Sequence, residues 1–283
     1  MTPAIPILLY HSVSDSPTGD FGPFTVSRSQ FGAHLDRLLA QGFATLTIGQ
    51  LLERIRAQLP LPERTAVITV DDGFADFSAN AWPELQRRGM NATLYVTAGL
   101  IGSSARWLAP LHAEQLPMLD HHQLLDLAAQ GCEIGAHSMS HPQLDCLPSD
   151  QAAREIRQCK DVLEQVLGQP VDSFAYPHGY YDHAVRQMVV DSGYSSASAV
   201  KDALSHVDDD QFALARITVK SDVDEPKIDQ VLAGDGFTRA KRRQRLRTRG
   251  WRQLRRWQYR QQQYREQQGR EQQDRQRHSG EAA

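Results

Sequence analysis

Cysteine is scarce in this sequence, long apolar runs are missing, and so are glycine-rich phosphate loops. The three cysteines, Cys132, Cys146 and Cys159, are an odd and scattered set. They fit free thiols in a reducing compartment better than a disulfide framework. No segment approaches the apolar length of a membrane-spanning helix. The opening stretch Met1 to Tyr10 carries neither a basic leader nor a long apolar core, so no signal peptide is expected. No Gly-rich loop follows any apolar run, which argues against nucleotide binding. The expected location is cytoplasmic, at most peripheral to the inner membrane face.

What is present is a chain of 283 residues with 40% hydrophobic content, enough for one large α/β domain or two small ones. Its net charge of -3 hides an asymmetry. Residues 238–283 hold 15 of the 31 basic and 4 of the 34 acidic residues, leaving 16 basic and 30 acidic residues in 1–237. An acidic body, 1–237, therefore carries a basic Arg/Gln-rich tail, 238–283.

Along the body, short apolar runs alternate with helical patterns. Strands are expected at Ile5–Tyr10, Phe43–Leu46, Ala66–Val70, Ala92–Thr97, Cys132–Ala136, Val171–Tyr176, Tyr194–Val200 and Ala215–Val219. Ser27 or Ser29 and Thr47 are candidate caps of the first two helices. Eight alternations argue for a parallel sheet, closed as a (β/α) barrel in preference to an open doubly wound one. Residues 99–119 read as a long irregular segment containing Trp107.

Catalytic residues of such barrels gather at the C-terminal ends of strands. Asp71 and Asp72, in Thr69-Val-Asp-Asp-Gly73, stand at one such end, where adjacent side chains point in different directions. One carboxylate can hold a metal while the other handles a proton, although Asp-Asp-Gly alone is also ordinary turn chemistry. His137 and His141, in His-Ser-Met-Ser-His-Pro142, follow another strand. Two imidazoles and one carboxylate make a common open metal site, suited to zinc, with cobalt, nickel or iron as alternatives. His11 and the Pro177-His178 segment stand at two further strand ends.

In this order and at these separations, the motifs resemble those of the polysaccharide deacetylase (NodB-homology, carbohydrate esterase family four) family. Thr69–Gly73 resembles its first motif, His137–Pro142 its second, and Phe174-Ala-Tyr-Pro-His-Gly179 its third. The resemblance implies a distorted barrel of about seven strands. It implies Asp71 as the general base and Asp72, His137 and His141 as ligands of one divalent transition metal. It also implies the backbone N–H of His178, after Pro177, as part of the oxyanion hole, with Tyr176 and Pro177 lining the substrate site. Leu9-Tyr-His-Ser-Val13 resembles the N-terminal segment of the subgroup containing poly-N-acetylglucosamine deacetylases, where this histidine acts as the acid; His11 is assigned that role.

Two features depart from the pattern. The third motif often carries Arg where this chain has Ala175, and Arg216 is the candidate replacement. The late Leu-x-His motif is missing in strand context, although Leu204-Ser-His206 has its spelling. Trp107 is a candidate sugar platform, and Asp182 reads as a helix N-cap. The expected reaction is metal-dependent deacetylation of an N-acetylated amino-sugar glycan or its lipid-linked precursor. The alternatives are hydrolysis of another C–N amide, a glycan-binding homologue without activity, or a nucleic-acid adaptor working through the tail. In the tail, Leu246, Trp251, Leu254 and Trp257 form a narrow apolar stripe on a cationic helix. Residues 239–260 are thus a candidate contact for an anionic membrane surface, with nucleic acid a weaker one.

Overall fold

The structure is a computed structural model that describes residues 4–239, 250–257, 259 and 261. Leu246 and the rest of 240–249 lie outside the described residues. Seven parallel strands form a closed barrel in sequence order: β1 (Ile7–Tyr10), β2 (Thr65–Val70), β3 (Thr93–Val96), β4 (Glu133–Ala136), β5 (Ser173–Ala175), β6 (Ser196–Val200) and β7 (Leu214–Thr218). The ring closes where β1 pairs with both β2 and β7.

The eighth expected strand, Ala44–Leu46, does not enter the ring as a full member. It pairs with the lower half of β2 (Thr65–Val67), while the upper half (Thr69–Val70) pairs with β3. Its ladder partners all lie on β2, and it pairs on its other side with no strand of the ring. It therefore splays the barrel at one side.

The helices are α1 (Arg28–Ala40), α2 (Ile48–Arg56), α3 (Trp82–Arg87), α4 (His121–Ala129), α5 (Ser149–Leu167), α6 (His183–Asp191) and α7 (Glu225–Ala233). Side-chain caps start most of them. Ser27, and not Ser29, accepts the Gln30 N–H at α1, and Asp182 accepts the Val185 N–H at α6. Thr47 and Asp120 complete reciprocal capping boxes. The cysteines are all free and buried.

Strand alternation sorts the core into two layers. Leu8, Ile68, Leu94, Ile134, Phe174 and Ile217 face the helices. Ile7, Val67, Tyr95, Ala175 and Leu214 face the barrel interior. The inner layer is crowded: a Cβ at Gly135 would stand 2.5 Å from the Tyr95 ring. The inner face of β2 runs Val67, Thr69, Asp71, that of β4 ends at His137, and that of β7 runs Leu214, Arg216. Simple parity thus delivers these polar side chains to the upper end of the barrel.

Beyond residue 249 the chain is helical over 250–257. Trp251, Leu254 and Trp257 point outward, with exposures of 50%, 42% and 59%. Arg252, Arg255 and Arg256 face the barrel and pair with Asp145 and Asp182. Those three cations are therefore spent on the protein, whereas the expected membrane contact would use them on lipid.

Candidate active site

Asp71 and Asp72 follow β2 and are almost fully buried. The chain turns at Asp72, which adopts a left-handed φ of 78°. That turn sends the two adjacent carboxylates to different partners. Asp71 is gripped by Arg216: Nη1 donates to Oδ1 at 2.6 Å and Nη2 to Oδ2 at 2.7 Å. Such a two-pronged pair fixes both distance and plane. Arg216 has no solvent exposure and lies 5.4 Å from the centre of the Tyr95 ring. Ala175 and Leu214 both stand opposite Ser198, so Arg216 reaches the site from one layer above Ala175. Burial alone would raise the Asp71 carboxyl, but Arg216 and then His137 outweigh it and hold Asp71 below the ordinary carboxylate range.

Asp72 faces two imidazoles. Its Oδ1 lies 3.5 Å from His137 Nε2 and 3.2 Å from His141 Nε2. Neither nitrogen is aligned to donate, and Oδ1 is a buried oxygen without a hydrogen-bond partner. His137 Nδ1 lies 2.8 Å from the Ala175 carbonyl, so its proton belongs there and Nε2 presents a lone pair. Burial, offset in part by Asp71, lowers His137 to about 4 and keeps it neutral. The ligand atoms of Asp72, His137 and His141 all lie within 4.8 Å of one another.

A divalent cation fits this arrangement. Donors at roughly 2.0–2.1 Å from a tetrahedral ion stand about 3.3 Å apart. The donor set of one carboxylate and two imidazoles suits a transition metal. An anionic oxygen and two imidazole nitrogens converging without hydrogen bonds leave the place of a cation between them.

The loop that carries His141 is held in an unusual shape. Ser138 and His141 both have left-handed φ, 64° and 61°. Glu155 of α5 accepts the N–H groups of Met139 and Ser140, each at 2.9 Å. The Ser138 hydroxyl accepts the His141 N–H at 3.0 Å. Strained residues persist where their surroundings over-determine them, and here one carboxylate and a hydroxyl do so.

Other expected residues join the cluster. His178 is left-handed, with φ of 58°, and its ring lies 4.6 Å from that of His141. The Trp107 ring stacks on His141 at 5.0 Å and on Phe74 at 6.0 Å. It walls the site directly over a candidate ligand. His11 packs edge-on against Phe24 at 5.3 Å and keeps a buried, unpartnered Nδ1. Burial lowers its pKa, while Asp72 and Asp71 pull in the opposite direction.

Tyr176 is not at the site in the way expected. Its side chain is fully buried, its hydroxyl donates to the Phe212 carbonyl at 3.0 Å, and its N–H is spent on the Ser198 carbonyl. Strand parity points Tyr176 into the outer core. Pro177 is also buried. Sequence reasoning missed Glu155 and the buried bond from the Ser12 hydroxyl to Asp76. Neither has a local signal, because each acts across a long separation in the chain.

The fold and these motifs define a class. Residues 58–197 match the model of the polysaccharide deacetylase family. The chain carries a polysaccharide deacetylase domain. A relative is YxkH of Bacillus subtilis (strain 168), itself assigned to the polysaccharide deacetylases. It is 26% identical over 215 residues, spanning 76% of this chain and 71% of that protein. The deacetylase PplD of Streptococcus pyogenes, solved with acetate, superposes with a TM-score of 0.69 at 20% identity, over 82% of this chain and 99% of that one. IcaB of Ammonifex degensii superposes with a TM-score of 0.70 at 22% identity, over 81% and 97%. These structural likenesses bear on the fold.

Proposed function

We propose that this protein is a metal-dependent deacetylase that hydrolyses the N-acetyl amide of an amino-sugar glycan. The observation that carries this reading is the division of labour between neighbouring carboxylates. Asp71 is held in place by one bond from Arg216 to each oxygen, while Asp72 offers an unpaired oxygen beside two imidazole nitrogens. The substrate class comes from the family to which the domain belongs.

Asp72, His137 and His141 would hold the ion, zinc first by donor type. Such an ion supplies Lewis acidity, polarising an amide carbonyl and acidifying water. The remaining work falls to the chain. Asp71, kept anionic by Arg216, accepts the proton of the attacking water at a carboxylate oxygen. Arg216 also fixes the plane of that carboxylate, so the proton acceptor is already placed. His11 supplies a proton to the departing amine; burial disfavours its charged form, and the nearby carboxylates offset that only in part. The turn at His178 presents backbone N–H to the developing oxyanion. Trp107 and the phenylalanines around His11 keep water from the other side of the site.

The test is acetate release from N-acetylglucosamine oligomers by the zinc- or cobalt-loaded protein. Release of acetate with matching free amine, absent in Asp71→Asn, is the expected result. Oligomer binding by the loaded protein without acetate or amine would overturn the reading and leave a glycan-binding protein.

A further inference from the structure

The basic helix of the tail meets the two loops that close the candidate site. Asp145, four residues after His141, is almost fully buried. It takes a two-pronged bond from Arg255, at 2.9 Å and 2.7 Å, and a third from Arg252 Nε at 3.0 Å. Arg255 is itself only 5% exposed, donates to Gln143 Oε1 at 3.1 Å, and lies 3.8 Å from the centre of the Tyr180 ring. Arg256 donates to the Asp145 carbonyl at 2.7 Å and to Asp182 Oδ2 at 2.9 Å. Arg252 reaches the Tyr181 carbonyl at 3.0 Å. One short helix therefore holds 143–146, just after the second motif, and 180–182, just after the third.

The same two loops meet inside, where the rings of His141 and His178 lie 4.6 Å apart and that of His178 lies 6.0 Å from Tyr180. A continuous chain of contacts runs from Arg255 through Tyr180 and His178 to His141. Buried ion pairs contribute little to net stability, but they fix geometry, and removing one partner strands the other charge.

We propose that the C-terminal helix is a clasp that locks the His141 loop against the His178 loop, with Arg255 as its positioning residue. This rests on the reading of His141 as a metal ligand. The basic tail then serves the site from within the chain.

The test uses the full chain and the variants Arg255→Met and Arg255→Lys. Two measurements are made: amide hydrogen exchange without metal, and cobalt affinity by its absorption spectrum. In Arg255→Met, amides in 139–146 and in 178–182 should exchange about tenfold faster or more, with those of β2 unchanged. Cobalt affinity should fall about tenfold, the lower end for lost outer support of a metal site. Arg255→Lys should lie between, since an ammonium keeps the charge and loses the fork. Faster exchange confined to 250–257 would overturn the clasp, as would unchanged cobalt affinity in a variant whose tail has detached. Absence of cobalt binding by the parent protein would instead sink the metal reading, and exchange alone would decide the clasp. Arg256→Met, which releases Asp182 and the Asp145 carbonyl, serves if Arg255→Met does not fold.

Discussion

The barrel carries a carboxylate at each end, and the two are treated differently. At the lower end, Glu133 of β4 accepts the Gly49 N–H at 2.8 Å, the Ser173 hydroxyl at 2.8 Å and the Thr93 hydroxyl at 3.1 Å. Every one of those donors is neutral, and the set is closed. At the upper end, Asp72 faces two imidazole nitrogens and has an oxygen with no donor. Among the described residues, His11 Nδ1, Asp76 Oδ1, Thr97 Oγ1, Trp107 Nε1 and His141 Nδ1 are likewise buried and unpartnered at this end, against His206 Nδ1 and Arg255 Nε elsewhere. Buried polar atoms are normally paired, so such a concentration marks the end built for something outside the chain. A carboxylate closed off by neutral donors is scaffold, and one left short of donors beside two imidazole nitrogens is a site.

The comparison can be broken most severely at Asp71. Asp71→Asn should cut turnover about 10²–10⁴-fold while leaving bound metal unchanged. Loss of metal instead would erase the division between the neighbouring carboxylates. Arg216→Ala strands a buried carboxylate and should cost about 3–5 kcal/mol in urea unfolding of the metal-free protein. It should also move the acidic limb of the pH–rate profile upward, because Arg216 is what holds Asp71 low. An unmoved limb would mean that Arg216 does not tune the base.

Asp76 sharpens the comparison through pH. Burial raises it from 3.8 to about 6, despite the Ser12 hydrogen bond. A folded value above the unfolded one gives stability that is full below about pH 4 and lost as pH rises through 6. Asp76→Asn removes that loss. The variant should match the parent near pH 4 and exceed it by about 1–3 kcal/mol at pH 8. Equal stabilities at both pH values would refute the assignment. The smallest effect belongs to the lower end: Glu133→Gln should cost about 1 kcal/mol and leave metal and turnover untouched.

Much of the site was legible because a strand's period is two. Asp71, His137 and Arg216 fall on interior parity in strands that the sequence marks plainly, and the ordered motifs supply Asp72 and His141. The motif misplaced one side chain that parity places correctly. Tyr176 was grouped with the site by its motif, yet its position in the alternation sends it to the outer core, where Phe212 satisfies its hydroxyl. The barrel closes with seven strands because Ala44–Leu46 pairs with β2 alone, a matter of pairing that apolar spelling does not disclose. Glu155 and Asp145 were invisible for another reason. Each acts on backbone or on a charge far along the chain, and nothing local distinguishes it from a solvated acid. The inward turn of Arg252, Arg255 and Arg256 was hidden likewise, since a cationic helix with an apolar stripe does not say which face meets the protein.

The central claim is that Asp72, His137 and His141 form a metal site beside a separately held base. The most direct measurement is bound metal per chain, by elemental analysis after equilibration with zinc, for the parent protein and for Asp72→Asn. The account predicts about one equivalent in the parent and little in the variant. No bound metal in the parent, or an undiminished equivalent in Asp72→Asn, would contradict it.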